Sequence, residues 1–127
     1  MRDYQRKKNN PYRLPHNLYM RVLYLVRDYE RLQTIRREIL LESPSPDGTP
    51  HSGIGSPTEG EALRMYAIGQ EYDAVERALT AVPAEYRRGI LANICRRAPY
   101  PSDAGSETYG RWRRKFLYQV AKNLHLI

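Results

Sequence analysis

The chain has 127 residues, 41% of them apolar and 28% charged, with 21 lysines and arginines against 14 carboxylates for a net charge of +7. That size closes one core without metal or disulfide staples, and that balance excludes a membrane-embedded chain and points to a polyanionic partner. The single cysteine, Cys95, excludes an internal disulfide, and its place in the apolar run "GILANIC" predicts a reduced, packed thiol in a cytoplasmic protein.

The charge is unevenly spread. Residues 1–15 hold five basic and one acidic residue, residues 16–83 seven and ten, and residues 84–127 nine and three, so two basic ends flank a slightly acidic middle. In chain order, residues 1–14 begin "MRDYQRKKNNPYR", carry few apolar groups other than tyrosine, and read as a basic flexible arm. Arg6, Lys7 and Lys8 are its candidate phosphate contacts, which add affinity without choosing a sequence.

From Pro15 onward Leu18, Val22, Leu25, Tyr29, Leu32, Ile35 and Ile39 recur at spacings of three and four and predict one long helix over 15–42. Pro15 suits its first turn, where a missing N–H costs nothing. Asp28, Arg31, Arg36, Arg37 and Glu38 fall mostly off the stripe and read as solvated charges. The segment "LYMRVLYLV" is interrupted by Arg21 and followed by no cleavage site, so neither a signal peptide nor a spanning helix is expected.

Residues 43–60, "SPSPDGTPHSGIGSPTEG", break both helix and ladder and predict a long, partly disordered loop acting as a linker. A second helix over 61–81 carries Met65, Ile68, Tyr72, Val75, Leu79 and Val82 as its stripe, with Asp73 and Arg77 placed to pair along it. Two matching stripes on consecutive helices predict an antiparallel hairpin spanning 15–82.

Pro83 opens a third helix, 83–97, with Tyr86, Ile90, Leu91 and Ile94 inward, and Pro99 and Pro101 prevent its continuation. Ser106 is the expected N-cap of a fourth helix, 106–124, with Glu107 in its first turn. Tyr109, Trp112, Phe116, Val120 and Leu124 share one arc of it, with Leu117 at the margin and Arg113 nearer the buried side. Arg111, Lys115, Tyr118 and Lys122 take the opposite arc, with Arg114 beside them. The fold class expected is therefore all-α: a helical hairpin plus a basic C-terminal pair, 83–127, resembling an atypical helix-turn-helix.

No catalytic residue, cofactor or metal is expected. His16, His51 and His125 stand apart, Cys95 has no neighbouring base, and no His-Glu-x-x-His or paired-cysteine pattern occurs. Gly53, Gly55 and Gly60 match no dinucleotide fingerprint, and no lysine follows at phosphate-loop spacing. A basic helix after a short connection from a supporting helix instead suits the major groove, where arginine reads guanine edges and other cations meet phosphates. Thr108, Arg111, Arg114, Lys115 and Lys122 are the candidate contacts, with double-stranded DNA as partner.

The runs "RLPHNLYMRVLYLVRDYERL" and "VPAEYRRGILANICRRAPYPSDAGSETYGRWRRKFLYQVAKNLHLI" resemble a family of small proteins encoded by prophages and mobile elements of Gram-positive bacteria. The second run is also similar to late-gene transcriptional activators of the RinA and ArpU type and to the promoter-reading fourth region of bacterial sigma factors. There a "P-x-x-x-R" helix leads to a serine-capped helix, and Pro83, Arg87, Ser106, Thr108, Arg111 and Arg114 occupy comparable places. Sigma-like modules carry a further short helix between the two, for which residues 98–105, with two prolines, leave little room. The resemblance implies a non-catalytic phage or mobile-element transcription regulator, with RNA polymerase and a second copy of the chain as further partners. Two alternatives share these features: a helical interaction or dimerisation module for a phage or polymerase subunit, and the DNA-recognition small subunit of a packaging enzyme.

Overall fold

The computed structural model describes residues 5–41 and 59–127, and every regular element within them is a helix. In order these are α1 (His16–Arg27), α2 (Tyr29–Leu41), α3 (Glu59–Thr80), α4 (Ala84–Arg96) and α5 (Ser106–Asn123). The all-α class expected from the periodicity is what the chain adopts. The loop expected over 43–60 lies outside the described residues except at its end, where Glu59 and Gly60 already belong to α3.

Pro15 and Pro83 stand just before α1 and α4, not inside their first turns. Both are extended (φ −52°, ψ 143° and φ −54°, ψ 139°), and their carbonyls accept from Tyr19 N–H at 2.9 Å and Tyr86 N–H at 3.0 Å.

The expected helix over 15–42 is two helices. Asp28 (φ −83°, ψ 2°) separates them, its N–H shared between the carbonyls of Tyr24 (3.2 Å) and Leu25 (3.1 Å) and its own carbonyl accepting from Leu32 at 2.8 Å. The division corresponds to a change of partner: α1 packs chiefly on α4 and α5, and α2 on α3. Facing more than one helix, α1 buries Tyr19, Leu23 and Val26 beside Val22, a wider face than the stripe that predicted it, and leaves Leu18 and Leu25 half-buried. Each fully buried aliphatic side chain of this kind contributes about 1.5–3 kcal/mol relative to exposure.

Only the second half of the expected hairpin is therefore paired. Tyr29 stacks on Tyr72 (centroids 5.7 Å apart) and donates its hydroxyl to Glu76, while Arg36, farther along α2, pairs with Asp73 at 3.5 Å and lies 5.1 Å over the Tyr72 ring. Tyr29 and Arg36, at different turns of α2, thus both reach the Tyr72 ring. Burial and the Glu76 carboxylate both push the Tyr29 hydroxyl's pKa upward, burial more. Asp73 thus pairs across to Arg36 where sequence spacing suggested Arg77, and Arg36 is not merely solvated.

α3 joins α5 through its second half, where Ala74, Val75, Ala78 and Leu79 are buried and the Asn123 amide donates to the Ala74 carbonyl at 3.0 Å. The C-terminal end of α4 is tied to α1: Arg27 Nε donates to the Ile94 carbonyl (3.1 Å) and Cys95 Sγ to the Val26 carbonyl (3.3 Å). Arg97 then turns left-handed (φ 55°, ψ 28°), with Ala98 N–H returning to the Ala92 carbonyl at 3.2 Å.

Candidate nucleic-acid interface

The position of α5 is set by tyrosines. Tyr109 is fully buried, edge-on to Tyr86 (5.2 Å, 77°) and stacked on Tyr100 (5.1 Å, 11°), and its hydroxyl donates to Asp103 Oδ1 at 2.6 Å. Gly89 on α4 makes the approach possible: a Cβ there would lie 2.7 Å from Pro101 Cδ and 2.8 Å from Tyr109 Cε1. The connection over 97–105 contains no helix, so the intermediate element of sigma-like modules is lacking here. It is also longer than the 3–4-residue turn of a helix-turn-helix.

The cap of α5 is Gly105, one residue before the expected Ser106. Its carbonyl accepts from Thr108 N–H (3.1 Å) and Tyr109 N–H (3.2 Å), and no side-chain oxygen caps the helix. The buried arc also differs in phase from the expected one. Tyr109, Phe116 and Val120 are inside as predicted, but Leu117 and Ala121 are fully buried while Trp112 and Leu124 are only half-buried. Arg113 accordingly lies inside the arc. It is 9% exposed, and its Nη1 donates to Tyr19 Oη at 3.1 Å.

Of the predicted contacts on α5, Arg111 and Lys122 are exposed, and Thr108, Arg114 and Lys115 are half-buried. Lys115 Nζ sits 5.1 Å from the Trp112 ring centroid, so the charge is retained over an aromatic face. Ion pairs among the described residues include Arg6–Glu107, Arg31–Asp28, Arg36–Asp73 and Arg96–Glu30. None engages Arg111, Arg114, Lys115 or Lys122. The last turn and the middle of α5 therefore present cations that no carboxylate among the described residues pairs.

The described part of the arm settles on the domain surface. Within its described part Leu14 is buried, its N–H donates to Gln5 Oε1 at 2.9 Å, the Gln5 amide donates back to the Leu14 carbonyl, and Tyr12 packs on Tyr118 at 5.5 Å. Two apolar anchors and an amide clasp fasten it along α5. Arg6 already meets a carboxylate: its Nη1 lies 3.2 Å from both oxygens of Glu107. Lys7 and Lys8 are exposed. The structure thus brings Arg6 into one cavity lining with Arg113 and Arg114, while Lys7 lines a different cavity beside Pro15 and His16; the sequence does not announce this because Gln5 and Leu14 place the arm through non-local contacts.

Elsewhere the chemistry is quiet. Burial pushes the Cys95 thiol up to about 11, which keeps it protonated at neutral pH. Among the described residues no group of three or more His, Cys, Asp and Glu is placed to hold a metal ion, and no helix is long and apolar enough to cross a membrane. Comparison with protein-family models, with curated proteins and with solved structures finds no match to this chain.

Proposed function

We propose that the protein is a non-catalytic DNA-binding transcription regulator, with α5 as the helix that meets the duplex. The observation that carries this reading is the division of α5 into a buried face holding Tyr109, Phe116 and Val120 and an outer face whose cations have no carboxylate partner among the described residues. A helix of its 18 residues is about 27 Å long, and the major groove admits one such rod. Lys7 and Lys8 on the fastened arm are exposed and add phosphate contacts without sequence choice. Origin in a phage or mobile element rests on the sequence resemblance of the runs "RLPHNLYMRVLYLVRDYERL" and "VPAEYRRGILANICRRAPYPSDAGSETYGRWRRKFLYQVAKNLHLI".

The test is duplex binding by fluorescence anisotropy across a salt series. Replacing Arg111, Arg114 and Lys115 together by alanine should weaken binding at every sequence and lower the salt slope by about 3. Undiminished binding by that variant sinks the reading.

A second reading, a helical interaction or dimerisation module, is favoured by the far end of the α2–α3 pair. Leu41 is 78% exposed, Leu63 64% and Tyr66 65%. Sedimentation of the full chain decides it: a dimer that Leu63→Ser with Tyr66→Ser disperses supports this reading, and a monomer at all concentrations removes dimerisation from it.

A further inference from the structure

A cavity of about 180 Å³ lies between the fastened arm, α1 and the first half of α5. Arg6, Arg113 and Arg114 line it, together with Tyr19 and Tyr100. Arg113 is the unusual member. Only its Nη1 is bonded, to Tyr19, while Nε and Nη2 are sealed from solvent with no hydrogen-bond partner. A buried lysine could shed its proton, but a guanidinium stays charged at any physiological pH, so burial leaves it needing an anion. No ion pair among the described residues supplies one to Arg113 or Arg114, and the nearby Glu107 is engaged by Arg6.

We propose that this cavity is a binding site for one phosphoryl group. Among the described residues, three guanidinium groups against the Glu107 carboxylate leave a surplus of two positive charges, enough for the two charges of a phosphate monoester or the one of a phosphodiester, and planar guanidinium forks match phosphoryl oxygens in pairs. The Tyr19 hydroxyl accepts from Arg113 and keeps its own proton to donate. Burial raises the Tyr100 hydroxyl's pKa while Arg113 and Arg114 lower it, so it too remains a donor at neutral pH. Gly110 lets Arg114 lean over the site, since a Cβ there would come within 3.3 Å of Arg114 Nη1.

The same chemistry could come from a free phosphorylated molecule or from a DNA phosphodiester, and the experiment separates them. The full chain is titrated with inorganic phosphate against sodium chloride of equal ionic strength, following thermal unfolding and the Arg113 Nε–H resonance. Saturable stabilisation with a shift of that resonance is expected. Arg113→Met should weaken the response about tenfold or more, and Arg6→Gln with Arg114→Gln, outside the core, should do the same while leaving unfolding in chloride unchanged. A response no larger than chloride's, or one that survives in both variants, overturns the proposal. With a response present, Arg113→Met that also lowers the salt slope of duplex binding identifies the phosphodiester as the source, and unchanged duplex binding identifies a free phosphorylated molecule. The inference does not rest on the DNA reading: if the wild-type chain ignores duplex DNA, the phosphate titration still decides it.

Discussion

The α4–α5 pair and the α2–α3 pair are both built from amphipathic helices, yet they are closed by different means. At α4–α5 three tyrosines interlock, a glycine admits a ring and a proline, and Phe116 and Tyr109 are fully enclosed. At α2–α3 a stacked tyrosine pair, the Tyr29–Glu76 hydrogen bond, an ion pair and a cation over a ring join the helices beside the buried Leu32, and Leu41, Leu63 and Tyr66 farther out are exposed. The difference teaches where this molecule invests its rigidity. The basic helix is set against the closely packed end, whereas the other end contributes contacts of the kind that are worth a few tenths to about 1 kcal/mol each.

Substitutions at matched positions break or sharpen that contrast. The largest separation is expected from truncating one apolar residue at each end: Phe116→Ala should cost about 3–5 kcal/mol, and Leu63→Ala within about 0.5 kcal/mol, by chemical denaturation. Equal losses would mean that the two ends are packed alike.

The next contrast uses two helix-interior glycines. Gly89→Val forces a side chain into Pro101 and Tyr109 and should cost about 3 kcal/mol, while Gly69→Ala, whose Cβ meets only Arg36 Nη1 at 3.4 Å, should gain about 0.5–1 kcal/mol from reduced backbone freedom. A gain at both positions would remove the close approach from the account of α4–α5.

The smallest effect at neutral pH is expected from Tyr109→Phe, and it shows best in alkali. The bond to Asp103, followed by burial, pushes the Tyr109 hydroxyl up to about 12. A folded-state value above the ordinary one of about 10 means that the hydroxyl's contribution is complete below pH 10 and fades as pH rises through about 12. The wild-type chain should therefore lose stability over that window more steeply than Tyr109→Phe. Parallel profiles would show that the hydroxyl plays no part.

The sequence made the helical class and most inward positions legible because a period of three and four survives any tertiary arrangement. It did not reveal partners. Asp28 looks like one more polar residue on a long helix, yet the chain changes neighbours there, from α4 and α5 to α3. Asp73 has a plausible local partner in Arg77 and takes a distant one in Arg36. On α5 the phase was offset toward Leu117 and Ala121, because the helix meets α1, α3 and α4 together and no single stripe describes that enclosure. Spacing placed Arg111 and Lys122 at positions that are exposed, but not the half-burial of Arg114 and Lys115. The contacts by which Gln5, Leu14 and Tyr12 hold the arm are ones that composition conceals.

The contact between Arg6 and Glu107 gives the arm an internal rival for any visiting polyanion. A phosphate can recruit Arg6 only by displacing a carboxylate that already occupies it, so this arginine releases less counterion on binding than its charge suggests. Glu107→Gln should therefore tighten association at low ionic strength more than the removal of one remote negative charge would.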